Sequence, residues 1–158
     1  MNVIFRETNM DNKRDNEKIV LLLNEFMNTT DQTNRAEIDI SVIDKLKKLS
    51  TTKIYLCENS DDIIGIAVCF IGFSTYNQRE LLNIHDFFIS SDWQGKGIGK
   101  KFLQYIDEEC IKNNWCRVTL EVLGDNTNAI KLYEESGYIG NENSENNCLI
   151  FAMKKDFC

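Results

Sequence analysis

The sequence predicts a mixed α/β domain, and three observations carry the prediction. Segments with strand-like alternation are interleaved with segments whose apolar residues recur every three or four positions. No change of composition interrupts that pattern, and one strand runs through a glycine-rich turn straight into a helix. The chain has 158 residues, of which 42% are hydrophobic and 27% charged, the make-up of one folded unit with a core. It contains no proline, no Gly/Ser linker and no internal repeat, so a single domain over residues 1–158 is expected.

Val3 to Glu7 alternates and reads as a short strand. Asp15 to Met27 places Ile19, Leu22, Leu23 and Phe26 at helical spacing, and a polar loop follows over Asn28 to Ala36. Ile40, Ile43, Leu46 and Leu49 predict a second short helix ending near Ser50. Lys53 to Cys57 and Ile63 to Phe73 form a hairpin around the polar cluster Glu58 to Asp62. The second of these strands is apolar almost throughout, which suits burial on both faces.

Leu81 to Ile89 is the next strand. In Gly97 to Lys112, Ile98, Phe102, Ile106 and Cys110 make one apolar stripe of a helix. Arg117 to Val122 alternates, with Val118, Leu120 and Val122 on one side and Arg117, Thr119 and Glu121 on the other. A helix from Asn126 to Ser136 stops at Gly137, a residue suited to the left-handed position after a helix. Strands near Tyr138 and over Cys148 to Lys154 flank a polar loop, Asn141 to Asn147. The order is β-α-α-β-β-β-α-β-α-β-β.

Bulk chemistry narrows the function classes. Cys57, Cys69, Cys110, Cys116, Cys148 and Cys158 include no C-x-x-C pair, and most lie in apolar stretches, which fits free thiols in a reduced, cytoplasmic protein. The start of the chain turns polar before a signal sequence develops, and the longest apolar run, Ile63 to Phe73, is shorter than the ~20 residues of a spanning helix. A net charge of −7 disfavours nucleic acid and anionic membrane and mildly favours a cationic partner. No metal is expected, and a homodimer is the assembly to test.

The segment His85-Asp86-Phe87-Phe88-Ile89, then Ser90 to Trp93, leads to Gln94-Gly95-Lys96-Gly97-Ile98-Gly99-Lys100 at a helix start. Glycines let backbone N–H groups approach an anion, and a helix N-terminus adds unpaired donors and partial positive charge. The spacing excludes two nucleotide patterns: Lys100 stands where a dinucleotide fingerprint needs its third glycine, and no Gly-Lys-Ser/Thr completes a P-loop. It does satisfy Q/R-x-x-G-x-G/A through Gln94, Gly97 and Gly99. Glycines in a strand-to-helix turn also arise for purely structural reasons.

A second pattern follows: Leu120-Glu121-Val122, Asp125-Asn126, Ala129-Ile130-Lys131-Leu132-Tyr133-Glu134 and Ser136-Gly137-Tyr138. Together the two segments resemble the signatures of the GNAT superfamily of N-acetyltransferases, over about Ile63 to Met153. The resemblance implies a central mixed, mostly antiparallel sheet of about seven strands flanked by about four helices, with strands splayed where the cofactor binds. It implies acetyl-CoA as co-substrate, its pyrophosphate on Gln94, Gly95, Lys96, Gly97, Ile98, Gly99 and Lys100. Backbone groups of Phe87, Phe88 and Ile89 would bind the acetyl carbonyl and pantetheine, and Asn126 a further part of the cofactor. Tyr133 would protonate the departing thiolate. Asn126 and Tyr133 are seven residues apart and would share one helical face. The plain alternative is that Tyr133 packs and Asn126 caps the helix.

An acceptor amine must lose a proton before it attacks, so a base is needed. Candidates are His85, Asp86 and Glu121. Histidine is the side-chain type that changes charge near neutrality, although a lone strand histidine is often structural. A diamine-acetylating branch has a carboxylate where this chain has His85, which argues against a polyamine acceptor. Phe73-Ser74-Thr75-Tyr76 followed by Leu82 to Asp86 resembles a bacterial subgroup of undefined acceptors. The reading is transfer of an acetyl group from acetyl-CoA to a primary amine by direct attack. The acceptor would be a small molecule rather than a protein. The rival is an acyl-CoA-binding module without catalysis.

Overall fold

The computed structural model describes residues 2–29, 35–140 and 150–157. Cys148, Cys158, the loop Asn141 to Asn147 and much of the Asn28 to Ala36 loop lie outside them. The elements are β1 Ile4–Glu7, α1 Lys13–Thr29, α2 Ser41–Lys47, β2 Thr52–Glu58, β3 Ile63–Ser74 and β4 Arg79–Ile89, then a 3-10 turn Ser91–Trp93. They continue with α3 Ile98–Lys112, β5 Arg117–Leu123, α4 Thr127–Glu135, β6 Ile139–Gly140 and β7 Ile150–Asp156. The order is the one expected from periodicity, with the 3-10 turn added. The strands form one mixed seven-stranded sheet in the order β1-β2-β3-β4-β5-β7-β6.

The chain divides into two compact units, Met1–Cys69 with Asp86–Ile98, and Phe70–His85 with Gly99–Cys158; β3 and β4 run through both. In the first unit β1 pairs antiparallel with β2 from Ile4↔Glu58 to Glu7↔Tyr55. α1 buries Ile19, Leu22 and Leu23, the stripe its spacing specifies. Each such aliphatic side chain stabilises the fold by roughly 1.5–3 kcal/mol. Asp15 is also buried, and its carboxylate takes Arg6 at 2.8 and 2.9 Å and the Thr8 hydroxyl at 2.9 Å. The Arg6 hydrogen bonds hold its carboxyl below the ordinary range.

α2 stops short of Ser50. Thr52 donates from its N–H to the Leu49 carbonyl at 3.0 Å and from its hydroxyl to the Leu46 carbonyl at 2.9 Å. A turn has captured the carbonyls that a longer helix would have used. Leu49 is left exposed despite its place in the repeat.

In the second unit α3 buries Phe102, Leu103, Ile106 and Cys110, and β5 buries Val118, Leu120 and Val122. β5 pairs antiparallel with β7 along its whole length, Arg117↔Asp156 to Leu123↔Ile150. Against β4 it pairs in parallel only from Leu82↔Val118 to Ile84↔Leu120. β4 continues to Ile89 and β5 to Leu123 beyond the last of those pairs. The strand expected near Tyr138 is β6, one residue later, because the Tyr138 N–H still serves the Tyr133 carbonyl at 3.0 Å.

Candidate functional site

The glycine-rich loop belongs to the first unit. Gly95 and Gly97 have φ of +71° and +73°, a region L side chains rarely adopt. A Cβ at either would meet nothing within 4 Å, so the space beside this backbone is open. The sequence order Gly-Lys-Gly thus answers a conformational demand rather than a crowded neighbour. α3 begins at Ile98, and its first turn carries no acidic residue to occupy the unpaired N–H groups. Lys96, Lys100 and Lys101 are exposed around it. This backbone fits a phosphate.

The loop is also braced internally. The Gln94 side-chain amide donates to the Ile89 carbonyl at 2.8 Å, folding back on its own strand. The Lys96 ammonium lies 4.6 Å over the Trp93 ring and donates to the Asp92 carbonyl at 2.7 Å. Glu25 of α1 accepts from the Ser91 N–H at 2.8 Å and from the Ser90 hydroxyl at 3.1 Å to each oxygen. It thereby caps the 3-10 turn that launches the loop. Sequence reasoning missed Glu25, because nothing local links α1 to a turn sixty-six residues away. Phe88 and Ile89 are buried, and the Phe88 ring sits 5.3 Å from Phe26. The Ser90 N–H donates to the Ile64 carbonyl at 2.9 Å, holding this end of β4 against β3.

The second unit holds the other candidates. His85 is exposed, with its ring edge-on to Phe70 at 5.7 Å. The Asn83 amide donates to the Thr119 hydroxyl at 3.0 Å, across the Asn83↔Thr119 pair. Two residues further along each strand, on the same face, stand His85 and the exposed Glu121. A cavity of about 230 Å³ opens on Asn83, Thr119, Glu121, Ile139, Ala152 and Lys154. Of these only Glu121 was singled out from sequence. The alternation shared by Asn83-His85 and Thr119-Glu121 was the signal for Asn83 and Thr119.

Tyr133 is buried in α4, and burial pushes its hydroxyl up to about 12. Asn126 lies at the N-cap, just outside the helix, where its side-chain oxygen accepts from the Ala129 N–H at 3.1 Å. This is the capping role that the plain alternative reading of the sequence gave it. The cap uses the oxygen and leaves the amide nitrogen out of that bond. Gly137 ends α4 at φ +87°, as the left-handed terminator requires. Burial pushes the Cys57 thiol to about 12 and raises Cys69 as well; both lie in the core. Among the described residues no cluster of three or more His, Cys, Asp or Glu could hold a metal, and no helix is long and apolar enough to cross a membrane.

Comparison with known proteins decides which phosphate-bearing ligand this fold serves. Residues 19–138 match the acetyltransferase (GNAT) family. The chain belongs to that family. This GNAT chain is 27% identical over 126 residues to a spermine/spermidine N(1)-acetyltransferase of Bacillus subtilis, covering 69% of itself and 83% of the relative. It is 25% identical over 75 residues to a thialysine N-epsilon-acetyltransferase of Bos taurus, 48% of this chain and 44% of that one. A ribosomal-protein-alanine N-acetyltransferase of Brucella melitensis shares the fold at a TM-score of 0.75 and 15% identity, over 98% of this chain and 99% of that one. A putative acetyltransferase of Salmonella typhimurium, determined with its cofactor acetyl-CoA, does so at 0.72 and 16%, over 99% and 94%. As a GNAT member the protein is an N-acetyltransferase that uses acetyl-CoA, and the family match favours catalysis over a binding-only module.

Proposed function

We propose that the protein acetylates a primary amine of a small polycationic acceptor by direct attack within a ternary complex, in the cytoplasm. The observation that carries the donor half is the open, positive-φ glycine loop ahead of an acid-free helix N-terminus. Gln94 to Lys100 would hold the CoA pyrophosphate through backbone N–H groups and the helix dipole. Phe87, Phe88 and Ile89 would offer backbone groups to pantetheine and to the oxyanion. The Asn126 amide nitrogen would serve the cofactor as well.

In this reading His85 or Glu121 takes a proton from the ammonium, and the free amine attacks the thioester carbonyl. The tetrahedral intermediate then collapses, breaking the C–S bond and expelling the CoA thiolate. Tyr133 would donate a hydrogen bond to that sulfur and pass its proton as the bond breaks, and the second proton shed by the newly formed amide nitrogen restores the tyrosine hydroxyl. With its hydroxyl raised to about 12, Tyr133 stays protonated through the working pH range, so its O–H is present to donate to the departing sulfur.

Support for a polycationic acceptor comes from the net charge of −7 and from the relative that acts on spermine and spermidine. His85, in place of the carboxylate of the diamine-acetylating branch, weighs against a polyamine and towards another small cation. The test is CoA release across spermine, spermidine, short diamines, thialysine and aminoglycosides. Turnover with at least one of these small cationic amines is expected. A thermal shift with acetyl-CoA but no CoA release from any amine would establish the binding-only module instead.

A further inference from the structure

We propose that Asp107, acting through Tyr138 and Lys155, is a positioning residue for Tyr133, fixing the end of α4 that carries the proton donor. The inference rests on the reading of Tyr133 given above. Asp107 projects from α3 and is 6% exposed. A carboxylate there is costly unless both oxygens are served. Both are: the Tyr138 hydroxyl donates to Oδ1 at 2.9 Å, and Lys155 Nζ donates to Oδ2 at 2.7 Å.

Each donor is tied in turn to the end of α4. Lys155 Nζ also donates to the Ser136 carbonyl at 2.8 Å, at the helix C-cap. The Tyr138 N–H donates to the Tyr133 carbonyl at 3.0 Å, and the two rings lie 6.0 Å apart. Gly137 turns the chain between Tyr133 and Tyr138 at φ +87°, a conformation L side chains rarely adopt. Tyr133, Tyr138 and Asp107 are all buried, so the path from carboxylate to donor ring is packed throughout.

Core filling alone does not call for this arrangement. Well-packed apolar residues replace buried ion pairs without loss of stability in many proteins. What the polar trio adds is direction: the Lys155 bond holds the Asp107 carboxylate, the Tyr138 hydroxyl bond to it sets the Tyr138 ring, and that ring flanks Tyr133. Burial pushes the Asp107 carboxyl up, and the bonds from Lys155 and Tyr138 oppose that rise.

The experiment is a double-mutant cycle reading kcat, KM for acetyl-CoA and thermal midpoint. Tyr138→Phe keeps the ring and removes the hydroxyl that donates to Asp107. It is expected to lower kcat about tenfold with KM for acetyl-CoA within about twofold. In a Tyr133→Phe background the same substitution is expected to change kcat less than about twofold, because the group being positioned is gone. Asp107→Asn repeats the test from the other partner, and Lys155→Arg is expected to recover most of the rate lost in Lys155→Met. Equal losses in both backgrounds overturn the proposal in favour of a purely structural clamp. A wild-type rate for Tyr133→Phe alone removes the donor reading and this inference with it.

Discussion

Gly97 and Tyr133 make different demands on their surroundings, and each yields a separable prediction. At φ +73° a Gly97→Val side chain is strained whatever space surrounds it, at a cost of order 1–3 kcal/mol. It would also fill the open side from which a phosphate approaches. Calorimetric titration with acetyl-CoA is expected to show binding lost, with the fold retained by circular dichroism. Retained tight binding would place the pyrophosphate elsewhere. Tyr133→Phe removes one hydroxyl from a buried ring, so kcat is expected to fall about 10²-fold with KM for acetyl-CoA little changed. Because its hydroxyl is raised to about 12, the donor stays protonated through the working range. No alkaline loss of kcat below about pH 11 is then assignable to it. A basic limb near pH 9 that disappears in Tyr133→Phe would contradict this.

Elements set how much of the site could be read from sequence. The stripe of Ile98, Phe102, Ile106 and Cys110 and the alternation of Val118, Leu120 and Val122 are local signals, and all seven are buried as read. The loop at Gln94 to Gly99 was legible because turn chemistry is local too. What stayed hidden depends on partners distant in sequence. Glu25 reaches the 3-10 turn from α1, and Tyr138 and Lys155 meet at Asp107 across turns of three elements. Asn126 shows the limit within one element, since spacing alone left open whether it caps α4, and the cap hydrogen bond is visible only in the structure. The Glu25 bond predicts a specific defect. Glu25→Ala leaves the Ser91 N–H without its acceptor and loosens the start of the loop. KM for acetyl-CoA is expected to rise about fivefold to tenfold with kcat nearly intact, a loss of about 1–1.4 kcal/mol in ground-state binding. An unchanged KM would show that the turn holds itself.

At the scale of the whole molecule, charge separates donor from acceptor. The chain carries −7 overall, yet Lys96, Lys100 and Lys101 gather around the start of α3. An anionic cofactor and a cationic acceptor would therefore sense different fields of one protein. Those fields are screened by salt, with a Debye length falling from about 30 Å at 0.01 M to about 8 Å at 0.15 M. For spermidine as acceptor, KM is expected to rise severalfold between those ionic strengths, because long-range attraction to the acidic surface is lost. KM for acetyl-CoA should move much less, since its pyrophosphate would be held by backbone donors at short range as well as by lysine charge. The measurement is initial rate over a grid of both substrates at each salt concentration. Intersecting lines throughout fit direct attack, which the buried, proton-retaining Cys57 and Cys69 also favour over an acyl-cysteine route. A spermidine KM indifferent to salt would mean that the acidic balance has no part in choosing the acceptor, and that selection lies in short-range contacts around His85 and Glu121.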